Sequence, residues 1–512
     1  MAELTDEIFD LFIIGGGING VGIARDAAGR GLKVALCEQG DIGQATSSAT
    51  SKLIHGGIRY LEQYEFRLVR ESLQEREVFL RIAPHLVRPL RFIMPHTSEL
   101  RPLWQIRLGL FLYDHLGKRT SLPGSGRLAL HRDISQCPLK PEYVTGFYYW
   151  DCAVDDSRLV ILTAVDAQRH GAQICPRTRC IGVDTMPGNL WTVRLEGKDR
   201  TVRHLCARAL INAAGPWANH VGEKVIGHKL SERFRLVQGS HIVVPQLYLG
   251  NDAYILQNPD RRIVFAMPFT TKFTLIGTTD TDYLGDPSDA RITPEETDYL
   301  VASVNRYFSK PTFKDDIVWS YSGVRPLYGA ESGSASELSR DYRLDLIEIG
   351  GAPLLTPYGG KLTNHRALAE RVMRLLSSRF GSIRGDWTAR QPLPGGDPPA
   401  GDKIGYLNQT RQRYPWIEEP LAQRYVHCYG TLTDSLLENS RSVSDLGRYF
   451  GATLYEREVI HLWENEWART CEDILWRRTK LGIDMAPSEV EALRSWLEDR
   501  STRSKEAPVC NL

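Results

Sequence analysis

The first forty residues alternate short apolar runs with a segment rich in small residues. Residues 10–14 are apolar after Asp10, residues 18–30 carry many Gly and Ala, and residues 33–37 are again mostly apolar. Short apolar runs are typical of buried parallel strands, and the longer segment between them is long enough for a helix. The pattern predicts a β-α-β unit, and therefore an α/β domain at the start of the chain.

The pattern changes further along the chain. A helix is predicted near residues 157–170, because this segment follows the acidic pair Asp155-Asp156, and short strands are predicted around 173–195 and 209–213. Strand-like runs separated by turns from about residue 235 to 345 indicate an antiparallel sheet. The stretch from Leu393 is rich in Gly and Pro, as linkers are, and helical periodicity dominates after it.

Length, charge balance and cysteine content narrow the class of protein to which the chain can belong. With 512 residues and 42% hydrophobic composition, the chain is long enough for two or three domains. Its 63 basic and 62 acidic residues nearly cancel, which argues against a dedicated nucleic-acid binder. The nine cysteines are odd in number and lack a CxxC spacing, so a reducing compartment is expected and no metal site is proposed, even at Cys175 and Cys180.

The hydropathy pattern predicts neither a secretory signal nor a membrane-spanning helix. The first residues are acidic and lack a positive leader, which is not the pattern of a secretory signal. Apolar runs are interrupted by Arg, Asp or Gly within about ten residues, whereas a spanning helix needs roughly twenty. Any contact with a membrane is therefore expected to be peripheral.

A glycine motif joins the first predicted strand to the first predicted helix. Gly15, Gly17 and Gly20 form a GxGxxG, with Asn19 inside it, and Glu38 ends the second strand. The first glycine makes the tight turn, the second lets backbone approach a pyrophosphate, and the third permits close helix packing. Glu38 would accept ribose hydroxyls and repel a ribose phosphate, which excludes NADP and leaves FAD and NAD open.

Two later motifs favour FAD. Residues 212–217, NAAGPW, include Gly215 and follow an apolar strand. They resemble the segment that, in amine-oxidase-like flavoproteins, returns the chain to the adenosine part of FAD. Residues 359–363, GGKLT, precede a predicted helix whose free N–H groups suit the pyrimidine edge of a reduced flavin. A second GxGxxG is missing from the sequence, so a separate NAD(P)H domain is not expected.

Several longer sequence segments show a specific resemblance to one family. The chain resembles the aerobic, membrane-associated glycerol-3-phosphate dehydrogenases of bacteria, within the FAD-dependent oxidoreductases related to D-amino-acid oxidase. Words that carry it run through the whole chain and include ATSSATSKLIHGGIRYLEQYEFRLV (45–69), LYDHLGKRTSLPG (112–124), DCAVDDSRLV (151–160), GSHIVVP (239–245), IGTTDTDY (276–283), YSGVRPL (321–327) and VSDLG (443–447).

The resemblance implies an α/β fold with three parts. These are a Rossmann-like FAD-binding domain (1–80, 145–230 and 345–385), an inserted α+β substrate domain with an antiparallel sheet (81–144 and 231–344) and a helical C-terminal domain (395–512). It also implies FAD as the cofactor, oxidation of sn-glycerol 3-phosphate to dihydroxyacetone phosphate, and a membrane quinone as the electron acceptor. The expected location is the cytoplasmic side of the bacterial cytoplasmic membrane, and a homodimer is compatible with the sequence.

The resemblance also assigns site residues. Those expected around the substrate are Arg59, Tyr60, Arg325, Arg340 and Lys361, since guanidinium groups bind a phosphate dianion well. His241 is the expected base, with Arg325 holding the developing alkoxide, and His55 is the alternative. The expected cofactor contacts, besides those of the glycine motif, are Thr46, Ser47, Ser48, Lys52, His55, Gly56, Gly215, Gly359, Gly360, Lys361, Leu362 and Thr363.

Although the net charge of the whole chain is close to zero, one stretch of it is strongly basic. Between residues 81 and 127 there are eight basic residues and two acidic ones, Glu99 and Asp114. Within it, residues 103–119, LWQIRLGLFLYDHLGKR, read as a helix with apolar and cationic faces, a composition suited to an anionic lipid surface. An ordinary packing helix is the alternative, and the resemblance favours the membrane.

Two other functions remain open at this stage. A glycerophosphate oxidase, or an FAD-dependent oxidase of another small acid, would use oxygen as the acceptor with the same kind of site. A flavoprotein-like binding or scaffold module would have lost catalysis. The joint presence of Arg59, His241, Arg325 and Lys361 argues against the scaffold.

Overall fold

The computed structural model of the chain describes residues 4–97, 102–117, 121–229, 234–328, 338–398 and 403–503. The strands are β1 Leu4–Ile14, β2 Val34–Glu38, β3 Leu53–Ile54, β4 Val87–His96, β5 Gly126–Ala129, β6 Thr145–Val154, β7 Gln173–Pro176, β8 Arg179–Met186, β9 Leu190–Glu196, β10 Val202–Asn212, β11 Phe234–Pro245, β12 Ala253–Gln257, β13 Ile263–Phe269, β14 Phe273–Gly277, β15 Thr281–Asp282, β16 Trp319–Tyr328, β17 Tyr342–Ile349, β18 Ala352–Gly359, β19 Tyr449–Gly451 and β20 Leu454–Tyr455. The helices are α1 Ile18–Gly29, α2 Phe66–Ile82, α3 Leu103–Leu116, α4 Leu130–Asp133, α5 Asp156–Arg169, α6 Ala218–Val221, α7 Pro294–Tyr307, α8 His365–Leu376, α9 Lys403–Arg413, α10 Glu419–Tyr429, α11 Leu432–Leu436, α12 Glu456–Asn465 and α13 Pro487–Arg503.

The first sheet has the order β17-β18-β10-β1-β2-β7, and β9 and β8 extend it from β10. β1, β2, β7, β10 and β18 pair in parallel, as the apolar runs at the start of the chain predict. Helices α1, α5 and α8 cover one face and share a buried core with it. The predicted α/β fold is confirmed, and the first strand begins earlier than its apolar run.

The second sheet has the order β15-β11-β14-β13-β12-β4-β6-β3, with β16 on β11 and β5 on β6. β11 to β16 pair antiparallel, as the strand-like runs after residue 235 predict. α7 and α3 pack on this sheet through separate apolar clusters. Residues 403–503 form a further, mainly helical unit with its own apolar core.

One predicted boundary differs from the structure. The resemblance implies that residues 145–154 belong to the FAD-binding domain, whereas β6 pairs along its whole length with β4 in the second sheet. Because the partner strand lies about fifty residues upstream, the local pattern carries no sign of this pairing. β3 also joins the second sheet through β6, so residues 53–54 connect the two sheets close to the candidate site.

Candidate active site

A pocket lies where the two sheets meet. It is lined by residues of the 46–55 segment, by β11 and β16, and by the residues that follow β18. The predicted site residues that line it are Thr46, Ser47, His55, Tyr60, His241, Arg325, Arg340, Gly360, Lys361, Leu362 and Thr363. Side chains separated by up to about three hundred positions in the sequence are thus brought to one cavity.

The glycine motif forms the turn between β1 and the N-terminus of α1. Gly15 has φ +113°, and a Cβ there would lie 2.5 Å from the Ala213 carbonyl oxygen. A Cβ at Gly20 would lie 1.9 Å from the Gly15 carbonyl oxygen, so this glycine is required for packing of the helix on the turn. Gly17 is the N-cap of α1, and it has no side chain that could cap the helix. A glycine at this position lets an anionic ligand approach the backbone N–H groups.

Two side chains of this region are already fixed by the fold. The Glu38 carboxylate accepts hydrogen bonds from the backbone N–H groups of Gly16 and Gly40, each at 2.8 Å, and burial raises its pKa. Asn19 donates to the Gly359 carbonyl oxygen at 3.2 Å, which links the glycine motif to the end of β18. Among the described residues, Asn19 Oδ1 is buried without a hydrogen-bond partner. The turn therefore retains an acceptor for a donor group of a ligand.

The 46–56 segment is held to the protein by its own polar groups. Thr46 Oγ1 donates to the Val324 carbonyl oxygen at 2.6 Å, and Ser47 Oγ accepts from the Ile18 N–H at 3.0 Å. The structure gives Lys52 a different partner from the expected cofactor, because its ammonium binds the Asp156 carboxylate at 2.8 and 2.9 Å. Neither Lys52 nor Ser48 lines the pocket.

Three further expected glycines, Gly56, Gly215 and Gly359, lie outside the pocket lining, as do the three glycines of the GxGxxG motif. Gly56 donates its N–H to Asp151 at 3.4 Å, and Gly215 and Gly359 have φ +55° and +69°. Positive φ favours glycine at these turns. The sequence motifs around them therefore shape the backbone that borders the pocket.

A buried carboxylate, absent from the sequence-based site, lies among the expected arginines. Asp280 Oδ1 accepts from Arg325 at 2.9 Å and from Arg340 at 2.8 Å, and Arg59 lies 3.9 Å from the other oxygen. Burial alone would raise the pKa of Asp280, but the three guanidinium groups outweigh it and lower the pKa. With one carboxylate for three guanidiniums, the cluster has a net charge of about two positive units.

Lys361 adds a titratable cation to this cluster. Its ammonium donates to the His55 carbonyl oxygen at 3.0 Å and to Ser72 Oγ at 3.2 Å, and lies 4.9 Å from the centre of the Tyr60 ring. Burial lowers the pKa of Lys361 to about 7, because the neighbouring carboxylates compensate only in part. Its charge therefore varies within the physiological pH range.

His241 lines the pocket and is held there by a hydrogen bond and a stacked ring. Its Nε2 lies 2.9 Å from Ser51 Oγ, its ring stacks on Tyr321, and its Nδ1 is buried without a hydrogen-bond partner among the described residues. Burial, together with the charges of Lys52 and Arg325, lowers the pKa of His241 well below its usual value. A neutral imidazole at pH 7 can accept a proton.

His55 remains the alternative base. It also lines the pocket, and burial and the charge of Lys361 lower its pKa. Its backbone N–H donates to Thr363 Oγ1 at 3.3 Å, which ties the 46–56 segment to the residues after β18. Sequence reasoning missed Asp280, Ser51 and Tyr321, although the first lies in the word IGTTDTDY and the second in ATSSATSK.

The predicted amphipathic segment forms helix α3. Ile106, Leu110 and Tyr113 are buried against the second sheet. The apolar side chains Leu103, Trp104, Leu108 and Phe111 on the other side are 42%, 67%, 50% and 58% exposed. The helix therefore packs on the protein through one side and presents a second apolar side to its surroundings.

Only part of the basic stretch can be compared with the structure. Arg107 is exposed on α3, whereas Arg101, Lys118 and Arg119 lie outside the described residues. Arg91 forms a two-hydrogen-bond pair with Asp252 at 2.7 Å, so its charge is compensated. Within the described ranges, the helices are too short or too polar to cross a membrane.

Comparison with known proteins agrees with this geometry. Residues 10–363 match the family model described as FAD dependent oxidoreductase, and residues 387–498 match the C-terminal domain of alpha-glycerophosphate oxidase. The glycine turn at the N-terminus of α1 is consistent with a dinucleotide pyrophosphate at this position. The residues present therefore fit FAD, the cofactor that this family uses.

The curated relatives are similar over nearly their full length. A glycerol-3-phosphate dehydrogenase from Pseudomonas aeruginosa is 52% identical over 96% of this chain and 95% of its own. The aerobic glycerol-3-phosphate dehydrogenase of Escherichia coli is 49% identical over 96% and 97%. A D-erythritol 1-phosphate dehydrogenase from Brucella abortus is 47% identical over 98% and 99%.

A solved structure has the same fold. The glycerol-3-phosphate dehydrogenase from Bacillus halodurans, complexed with FAD, superimposes with a TM-score of 0.77 at 26% identity, covering 98% of this chain and 92% of its own. Family matches and full-length relatives lead to the same assignment. The chain belongs to the FAD-dependent oxidoreductases, in the branch that contains the bacterial glycerol-3-phosphate dehydrogenases, and is an FAD-dependent dehydrogenase of that branch.

Proposed function

We propose that the enzyme oxidises the secondary hydroxyl of sn-glycerol 3-phosphate and releases dihydroxyacetone phosphate. The observation that carries the proposal is a cluster of Arg59, Arg325 and Arg340 around one carboxylate. Two of these arginines, Arg325 and Arg340, line the same pocket as a neutral histidine, whereas Arg59 and the carboxylate lie outside the lining. A site with a net charge of about two positive units suits a phosphate dianion. The names of the closely similar dehydrogenases support the same substrate.

The residues divide the chemistry between binding and proton transfer. When bound, FAD supplies the hydride acceptor. Arg59, Arg340 and Lys361 bind the phosphate, and Arg325 stabilises the negative charge that develops on the hydroxyl oxygen. His241 Nδ1 takes the hydroxyl proton, so that loss of one proton and one hydride converts the carbinol to a ketone.

The electron acceptor is proposed to be a membrane quinone. The exposed apolar side of α3 supports peripheral binding to the inner face of the cytoplasmic membrane, where a quinone is dissolved. Its basic residue Arg107 would lie near anionic headgroups. Oxygen is the competing acceptor, because the match at residues 387–498 is to the C-terminal domain of an oxidase.

A single anaerobic experiment tests the substrate. Glycerol 3-phosphate is mixed with the oxidised holoenzyme, and the flavin absorbance is followed; we expect rapid bleaching. D-erythritol 1-phosphate is the matched comparison, because a relative of nearly equal similarity is named for it. Much faster bleaching by the four-carbon compound at equal low concentration would contradict the assignment.

A second mixing step tests the acceptor. The reduced enzyme is mixed either with a short-chain quinone or with oxygenated buffer, and the return of flavin absorbance is timed. We expect faster reoxidation by the quinone. Faster reoxidation by oxygen, with peroxide formed in equal amount, would identify an oxidase.

A further inference from the structure

We propose that the C-terminal helical unit positions His241, through a stack of aromatic rings that runs from Trp476 to the pocket. The inference rests on the proposed role of His241 as the base. It assigns a task to residues 403–503, which contribute no residue to the pocket lining. Trp476, Trp319 and Tyr321 are accordingly positioning residues, since they act through His241.

The rings form a continuous series. Trp476 stacks on Trp319 with centroids 4.6 Å apart and planes at 26°, and Trp319 contacts Tyr321 at 4.8 Å. Tyr321 stacks on His241 at 4.8 Å with planes at 14°. Adjacent β11 and β16 align His241 opposite Tyr321, so the last pair is set by sheet register. Each ring therefore limits the tilt of the next one.

The opposite face of the imidazole is confined by backbone. A Cβ at Gly277 would lie 2.1 Å from His241 Cδ2, so the ring occupies the space that a side chain at residue 277 would fill. With Gly277 on one side and Tyr321 on the other, the ring can leave its plane only if Tyr321 moves. Because Trp319 and Trp476 lie behind Tyr321, that motion depends on the C-terminal unit.

A polar connection leads from the same C-terminal segment to the same histidine. Lys480 lies 3.4 Å from Asp155 and donates to the Ser157 hydroxyl. The carboxylate between them, Asp156, accepts from the Thr50 N–H at 3.2 Å and from Lys52. These bonds fix the backbone around Ser51, whose hydroxyl lies 2.9 Å from His241 Nε2.

Tyr321 joins the two connections, because its hydroxyl donates to the Thr50 carbonyl oxygen at 2.8 Å. The C-terminal segment is itself firmly attached to the first domain. Arg158 and Glu466 form an ion pair whose side chains are 0% and 2% exposed, and Arg477 donates to Asp41 at 2.6 Å. Trp476 therefore has a fixed base from which to support the stack.

The test compares Trp476→Ala with Trp476→Phe and with Trp416→Ala, all as FAD-loaded enzyme. Trp416 is a half-buried tryptophan of the same C-terminal core that lies outside the ring series. Anaerobic flavin reduction by glycerol 3-phosphate is timed between pH 5 and 9, and substrate affinity is measured by flavin absorbance. Bound FAD per chain is recorded for each variant.

We expect Trp476→Ala to slow flavin reduction on the order of ten- to a hundredfold, because the base loses its orientation. Its acidic limb should move to higher pH, since water reaching the imidazole restores its ordinary protonation. Substrate affinity should stay within about twofold, because the phosphate cluster is untouched. Trp476→Phe should largely restore the rate, and Trp416→Ala should behave as the parent.

Parent rate and parent pH profile in Trp476→Ala would overturn the inference, as would equal effects of Trp476→Ala and Trp416→Ala. If Trp476→Ala fails to retain FAD, Trp319→Ala serves instead, because it also removes a ring of the series, and a parent rate and pH profile there has the same meaning. His241→Ala separates this inference from the function proposed above. A slow His241→Ala with a normal Trp476→Ala refutes only the positioning, whereas a normal His241→Ala refutes the assigned base.

Discussion

Asp280 accepts a hydrogen bond of 2.8 Å from Arg340, which lines the pocket that is proposed to bind a phosphate dianion. The same carboxylate oxygen also accepts from Arg325. Without this carboxylate, the guanidinium groups would repel each other in a partly buried space. Asp280 therefore compensates part of the charge of the arginine cluster and leaves enough of it for a dianionic ligand.

Replacement of Asp280 should reveal this compensation. In Asp280→Asn, the buried ion pairs lose their anion, and we expect the free energy of unfolding to fall by about 3 kcal/mol in phosphate-free buffer. Added inorganic phosphate should restore much of it, because an anion that binds only the folded state stabilises that state. Thermal unfolding at increasing phosphate concentration measures both effects.

The exposed Asp199→Asn is the control for this experiment, since its carboxylate bonds only within its own turn. It should lose little stability and gain no more from phosphate than the parent. Equal phosphate responses of Asp280→Asn and the parent would show that the arginines do not form an anion site.

Arg325→Ala should lower kcat/KM for glycerol 3-phosphate by the equivalent of roughly 3–5 kcal/mol, because the guanidinium contacts the reacting group and is paired in the pocket. FAD should remain bound, since Arg325 lies in β16, away from the glycine turn. Steady-state kinetics and flavin stoichiometry provide the measurement. Arg194→Ala, which removes an exposed pair with Asp184, is the matched control and should retain parent kinetics.

His241→Ala should separate binding from chemistry. We expect flavin reduction to slow by about a hundredfold or more, the usual contribution of a general base, with the affinity for substrate almost unchanged. Stopped-flow absorbance under anaerobic conditions gives both quantities. His220→Ala changes an exposed histidine and should have no effect. A parent rate in His241→Ala would transfer the role to His55.

The sequence predicted the local parts of this site and missed the long-range ones. The glycine turn was predictable because Gly15, Gly17 and Gly20 lie within six residues, and a Cβ at Gly15 or Gly20 would clash with backbone. Asp280 was not, because it lies between β14 and β15 and meets Arg325 and Arg340 only after β15 and β16 pair with β11 and the segment before β17 joins them. The types of side chain in the sequence predicted a phosphate site, but they did not show which carboxylate compensates the positive charge of its arginines.

Lys52 illustrates the same limit. A lysine between hydroxyl residues near a nucleotide motif suggests a cofactor contact, yet Asp156 lies over a hundred residues away and binds its ammonium. Conversely, the periodicity of α3 predicted the helix, with one apolar and one cationic face, whereas the structure shows apolar side chains on both sides of it. Only the packing of Ile106 and Tyr113 decides which side is buried and which remains exposed.

The pKa of Lys361 should appear in the pH dependence of substrate binding. In the free enzyme its pKa is about 7, so the ammonium is charged below pH 7 and neutral above it. The second ionisation of a phosphate monoester falls near pH 6, so the dianion is present above about 6. Affinity for glycerol 3-phosphate should therefore be highest between these values and fall as the pH rises through 7.

Lys361→Arg supplies the comparison, because a guanidinium stays charged throughout this range. The decline in affinity above pH 7 should disappear in this variant. Titration of the flavin absorbance with substrate at each pH gives the affinities directly. An identical decline in parent and variant would assign the titration to another group.

The exposed apolar side of α3 leads to the last prediction. Trp104 and Phe111 are 67% and 58% exposed, and burial of such rings in a bilayer interface is favourable. Trp104→Ser with Phe111→Ser should therefore reduce sedimentation with anionic vesicles and reduction of a quinone dissolved in them. Turnover with a soluble artificial acceptor should persist, because neither residue lines the pocket. Leu284→Ser with Leu249→Ser, which removes two exposed apolar side chains from other loops, is the control. If the α3 variant binds vesicles and reduces their quinone as the parent does, α3 is an ordinary packing helix and the lipid surface lies elsewhere on the molecule.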